Sequence, residues 1–141
     1  MMVDRPATTR DAAARRASGG ATSRAPPPAF DAAEFDELRE MIGQDGVIEM
    51  VEIFESETRQ RLRRLAAGIR DPTALVREMH TLKGASGTVA APRLAAFGRM
   101  FEQAAHRGIA PTPDDLKAIE DALEAFLIEA RARTERRAAV V

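Results

Sequence analysis

The chain has 141 residues and contains no cysteine, no tryptophan and no tyrosine. Without cysteine there can be no disulfide scaffold, thiolate metal site or cysteine nucleophile, and the composition fits a reducing compartment. Without tyrosine and tryptophan there is no tyrosine nucleophile, and the base-stacking platform of many single-strand binders is reduced to six phenylalanines. No segment approaches the ~18 uninterrupted apolar residues of a membrane span. No secretory signal pattern opens the chain either, so a soluble, cytoplasmic protein that binds no membrane is expected. An excess of one charge is also missing: 21 basic residues stand against 22 acidic ones, a net charge of −1, and nothing in that total points to nucleic acid.

What the chain does have is alanine. Of its 63 apolar residues, 28 are Ala, the best helix former and a residue depleted in strands, which favours a helical protein with one modest core. Charge is unevenly spread. Residues 1–29 hold five Arg and two Asp, a local +3, whereas the remainder holds 16 basic and 20 acidic residues. That first segment has few large side chains and ends in Gly19-Gly20 and Pro26-Pro27-Pro28, so it is expected to be a disordered Ala/Arg/Pro-rich tail. A bundle over 30–135 and a short C-terminal tail, 136–141, complete the expected organisation.

From Phe30 onward, apolar residues recur at helical spacing and predict five helices. The first runs from an Asp31 cap to Gly43 with Phe35, Leu38 and Ile42 inward. The second, capped by Asp45, carries Ile48, Val51, Phe54, Leu62, Leu65 and Ile69. Asp71-Pro72 starts the third, with Leu75, Met79, Leu82, Ser86 and Val89 on its buried side. Pro92 opens the fourth, marked by Leu94, Phe97, Phe101 and Ala105. Thr112-Pro113-Asp114-Asp115 opens the fifth, before Leu116, Ile119, Leu123, Phe126 and Ala130. Short connections make the expected fold all-α, an antiparallel up-down four-helix bundle closed at one end by a short additional N-terminal helix. With every stripe used inside one bundle, a monomer is expected.

The third helix has a second face that suits no core. At ~100° per residue, Val76, His80, Lys83, Gly84 and Gly87 lie roughly 80–180° from its buried stripe. Two glycines one turn apart inside a helix each cost roughly 1 kcal/mol against Ala. They clear a low surface beside His80, with Lys83 a turn away, where another molecule can come close. A helix end or packing against a neighbour would account for the glycines as well. The string His80-Thr81-Leu82-Lys83-Gly84-Ala85-Ser86-Gly87-Thr88-Val89 resembles the active-site helix of histidine phosphotransfer (HPt) domains, whose motif reads H-x-L-K-G. In that family a Gly-Ala or similar pair follows, then a Leu, then a Leu-Glu-like stretch and an R-x-G turn. Ala90-Ala91, Leu94, Phe101-Glu102 and Arg107-Gly108 occupy matching places, and the resemblance spans about residues 30–133. Ala90 departs from the usual Gly and bears on the turn rather than on the chemistry.

The resemblance implies that His80 takes a phosphoryl group from an aspartate of a response-regulator receiver domain and passes it to another. An imidazole of ordinary pKa, near 6.5, is largely a neutral nucleophile at cytoplasmic pH. By the same resemblance Mg²⁺ belongs to the receiver, and this chain needs no cofactor or metal of its own. Lys83 would offset phosphoryl charge. Glu102, on the next helix, stands where several relatives have a Gln or Glu that orients the histidine; as an ordinary surface carboxylate it would instead contact Arg99 or His106. Val76, Gly84 and Gly87 would form the receiver docking face. His106, near a helix C-terminus with no motif around it, is expected to have no role, and two histidines alone make no metal site. Receiver domains and hybrid histidine kinases are the implied partners. About 60 residues follow His80 without a glycine-rich phosphate loop, so a phosphotransfer intermediate rather than an ATP-dependent kinase is expected. The rival of a different class is a non-catalytic helical adaptor that binds a receiver or kinase, and the intact His80, Lys83 and Gly84 argue against it.

Overall fold

The computed structural model describes residues 26–140, with side chains through 135. Positions 1–25 of the expected tail lie outside the described residues. Among the described residues the chain forms four helices and no strand: α1 (Ala32–Ala67), α2 (Pro72–Thr88), α3 (Pro92–His106) and α4 (Pro113–Val140).

Local chemistry sets the helix starts. The Asp31 carboxylate accepts from Glu34 N at 3.0 Å, and Asp71 accepts from Thr73 N at 3.2 Å ahead of Pro72. At α4, Asp115 N donates to Thr112 Oγ1 while Thr112 N donates back to the Asp115 carboxylate. That is a capping box with Asp in the place of the usual Glu. α3 begins at Pro92 with no side-chain cap.

The predicted first and second helices follow one another without a loop in α1 and meet at a kink at Gly43, the expected end of the first, where φ is 87° and ψ 167°. Glycine takes this conformation without a Cβ penalty, so the chain changes direction and resumes helix with no loop. Asp45, expected as the cap of the second helix, lies two residues past the kink, in the first turn of that segment. Val47 is fully buried in place of the expected Ile48, and Ile42 stays exposed. Met41 and Ile128 are exposed too, so not every large apolar side chain is used inside the bundle. The other expected stripes hold: Leu75, Met79, Leu82, Ser86 and Val89 are buried, as are Leu94, Phe101, Ala105, Ile119, Leu123, Phe126 and Ala130.

Ordered packing begins just before Phe30. Ala29 is buried, Pro28 O accepts from Arg93 N, and Pro27 O accepts from Arg93 Nε, because these prolines lie over the α2–α3 turn. At the other end, the backbone of α4 runs on through Val140.

Two ties hold α2 in place. On one flank Arg61 and Arg64 of α1 both grip Glu78, and Arg61 is nearly buried. At its C-terminal end Ala91 N donates to Ser86 O, and Asp31 N donates to Ala90 O. Ala90 sits in this turn at φ 71°. A left-handed alanine costs about 1–2 kcal/mol, which gives the physical reason for a glycine there.

Ala90→Gly relieves that strain but loses a buried methyl, about 0.8 kcal/mol, and gains unfolded-state entropy, about 0.4–1 kcal/mol. The expected net change is under about 1 kcal/mol by urea unfolding, whereas Ala130→Gly in the buried helical face of α4 loses about 2 kcal/mol. The Glu78 carboxyl is held below its ordinary range by Arg64 first, then Arg61, against a burial cost. Its folded pKa therefore lies below its unfolded one, and its contribution is present above the usual carboxylate range and lost as pH falls through the folded value. Glu78→Ala is expected to cost about 2 kcal/mol at pH 7, leaving Arg61 unpaired, and to lose less stability than the wild type on acidification to about pH 3.

Candidate functional site

The site lies on the surface where α2 and α3 pack side by side. His80 stands on α2 with its side chain 66% exposed. Its Nδ1 is 2.9 Å from Glu102 Oε2, while Lys83 Nζ is 2.8 Å from Glu102 Oε1. One carboxylate therefore spans both α2 side chains from the neighbouring helix. The Lys83 ammonium first, and the His80 ring after it, hold the Glu102 carboxyl below its ordinary value of 4.5 against the cost of burial. An ionised carboxylate can only accept, so Nδ1 is the donor and carries the proton. In the neutral ring Nε2 is then left with the lone pair.

Glu102 makes this reach rather than the alternative contact with Arg99 or His106 on its own helix. The bridge unites three of the expected site residues, His80, Lys83 and Glu102. Gly84 and Gly87 are exposed, and a Cβ built at either meets nothing within 4 Å. Packing against a neighbouring helix is thus not the reason for these glycines. Gly84 sits in the interior of α2, its carbonyl accepting from Thr88 Oγ1, while Gly87 lies one residue from the end. Val76 departs from expectation: it is half-buried against the core, because its position on α2 turns toward the packed side, and it offers little free apolar surface. His106 is exposed in the last turn of α3 and takes no part in the bridge.

Gly98 is the residue that sequence reasoning missed. It is buried on α3, one turn before Glu102, with the Lys83 backbone directly against it. Its signal was present as a glycine on the inward stripe between Leu94 and Phe101-Ala105, within an otherwise regular helix.

The arrangement can present one nucleophilic nitrogen to a large partner across a surface free of side chains, with an ammonium beside it. Among the described residues no group of three or more His, Asp or Glu is placed to hold a metal ion. A family model described as "Hpt domain" matches residues 49–129, which contain His80, Lys83, Gly84, Gly98 and Glu102. Comparison with curated proteins and with solved structures gave no match.

The bridge fixes an expected tautomer that ¹⁵N NMR of the imidazole reads directly. At neutral pH the wild-type ring of His80 is expected to carry its proton on Nδ1, and Glu102→Ala to raise the Nε2–H form with helicity unchanged. A wild-type ring protonated on Nε2 would contradict the assignment.

Proposed function

The chain belongs to the Hpt-domain family, which implies histidine phosphotransfer in a phosphorelay, and we propose that His80 is its phosphorylated residue. The partners are receiver domains, with a hybrid kinase as one source of the donor receiver, and the helices form the bundle in up-down order. The observation that carries the reading is the bridge: an exposed imidazole, oriented through Nδ1 by an ionised carboxylate, next to two glycines whose missing side chains leave the approach open.

In the proposed reaction the His80 Nε2 lone pair attacks the phosphorus of an aspartyl phosphate on the donor receiver. The N–P bond forms as the P–O bond to the aspartate breaks, and that carboxylate leaves with the bonding pair. The proton remains on Nδ1. The ring becomes cationic as its lone pair is used, and Glu102 already faces Nδ1–H to stabilise that charge. A cationic imidazole is also a good leaving group, so attack by the next receiver's aspartate reverses the same steps. Mg²⁺ held by the receiver would screen the phosphoryl charge. Lys83 begins on Glu102 and turns toward the phosphoryl oxygens when they arrive. Gly84 and Gly87 let the receiver approach; Val76 contributes only the margin that stays exposed. No helix of the described residues is long and apolar enough to cross a membrane, in keeping with the cytoplasmic setting we propose for the relay.

Incubation with a ³²P-labelled phospho-receiver domain tests the proposal. The expected product is an acid-labile, base-stable phosphate, absent in His80→Gln with its helicity unchanged; label persisting in that variant would overturn it. Lys83→Ala is expected to slow transfer by about 3–10-fold, below the ~10²–10³ of a buried oxyanion donor because the ammonium is partly solvated. Gly84→Gln is expected to weaken receiver binding, measured by calorimetry.

A further inference from the structure

We propose that Gly98 is a positioning residue for phosphotransfer, setting the close approach of α3 to α2 that lets Glu102 hold His80 and Lys83 at once. The inference rests on His80 being the phosphorylated residue. A Cβ built at position 98 falls 2.7 Å from both Cα and N of Lys83, and 3.0 Å from its Cβ. Carbon atoms in ordinary contact sit about 3.5–4.0 Å apart, so a side chain of even one carbon cannot enter. The obstructing atoms are mainly backbone on a helix tied near its middle through Glu78 and at its C-terminal end by the turn at Ala90-Ala91. They have no rotamer into which to retreat, so α3 itself must move away.

Glu102 lies four residues on from Gly98 and shares its face of α3, so it retreats with the helix. A retreat of about 1 Å would carry the 2.8 and 2.9 Å contacts to Lys83 and His80 out of hydrogen-bonding range. Both partners would be released together. The three glycines of this surface thus serve different purposes. Gly84 and Gly87 face open space and leave room for an outside molecule, whereas Gly98 leaves room for the Lys83 backbone.

The test combines Gly98→Ala, Glu102→Ala and their double variant, read by the His80 ¹⁵N tautomer and by the transfer rate from a phospho-receiver. Gly98→Ala is expected to lose the Nδ1–H form and to slow transfer as much as Glu102→Ala does. The double variant is expected to be no slower than either, because both changes remove one interaction. A folded Gly98→Ala protein with the wild-type tautomer, or a double variant slowed by the product of the two effects, would overturn the proposal. Glu102→Asp provides a second arm that leaves the packed helices untouched. One methylene shorter, it is expected to lose the Nδ1–H form despite keeping its charge. If Asp keeps both tautomer and rate, the reach has slack and Gly98 does not set it. All of these failures leave His80 labelled in the wild type, whereas failure of the functional reading leaves it unlabelled.

Discussion

Glu102 reaches from α3 to α2 and divides its carboxylate between His80 and Lys83, and the surroundings of the site are arranged around that reach. The carboxylate must be ionised to orient the ring, and the neighbouring ammonium favours that state. It must also come close, which requires two helices to pack with backbone against backbone at Gly98 and Lys83. Neither requirement involves Nε2, the nitrogen proposed as the nucleophile, which the Glu102 contact leaves open. The exposed imidazole is thus held by groups that do not cover it.

A small bundle is suited to such a task. Its core does not enclose a substrate; it fixes the relative height of two helices. The Arg61–Glu78–Arg64 cluster anchors α2 on the flank facing α1, and the turn at Ala90-Ala91, tied to Asp31, anchors its far end. Between these ties α2 tolerates a glycine in its interior and another in its last turn, since its position is set by packing and not by helix propensity alone. The strained Ala90 shows the same tolerance at the turn.

Much of this was legible in the sequence. The α2 stripe of Leu75, Met79, Leu82, Ser86 and Val89 follows directly from 3.6-residue periodicity, and all five are buried. His80, Lys83 and the glycines then stand out because they oppose that stripe. The motif drew attention to Glu102, and the structure resolves the choice between its possible partners. Other features were hidden because they depend on tertiary geometry. Past the kink at Gly43, Val47 and Ile48 lie four and three residues before Val51 and both suit its stripe, and only the packing decides that Val47 is the one inside. Val76 falls between the two faces of α2, and a helical wheel cannot say which neighbour covers it. Gly98 looks like any small core residue until the backbone across from it is known.

The central claim is that Glu102 keeps the proton on Nδ1 so that Nε2 does the chemistry. It is tested most directly by ³¹P–¹⁵N NMR of the phosphorylated protein with ¹⁵N-labelled histidine. The account predicts a phosphorus–nitrogen coupling to Nε2 of His80, with the proton still on Nδ1. A coupling to Nδ1, or a phosphate carried on any other residue, would contradict it.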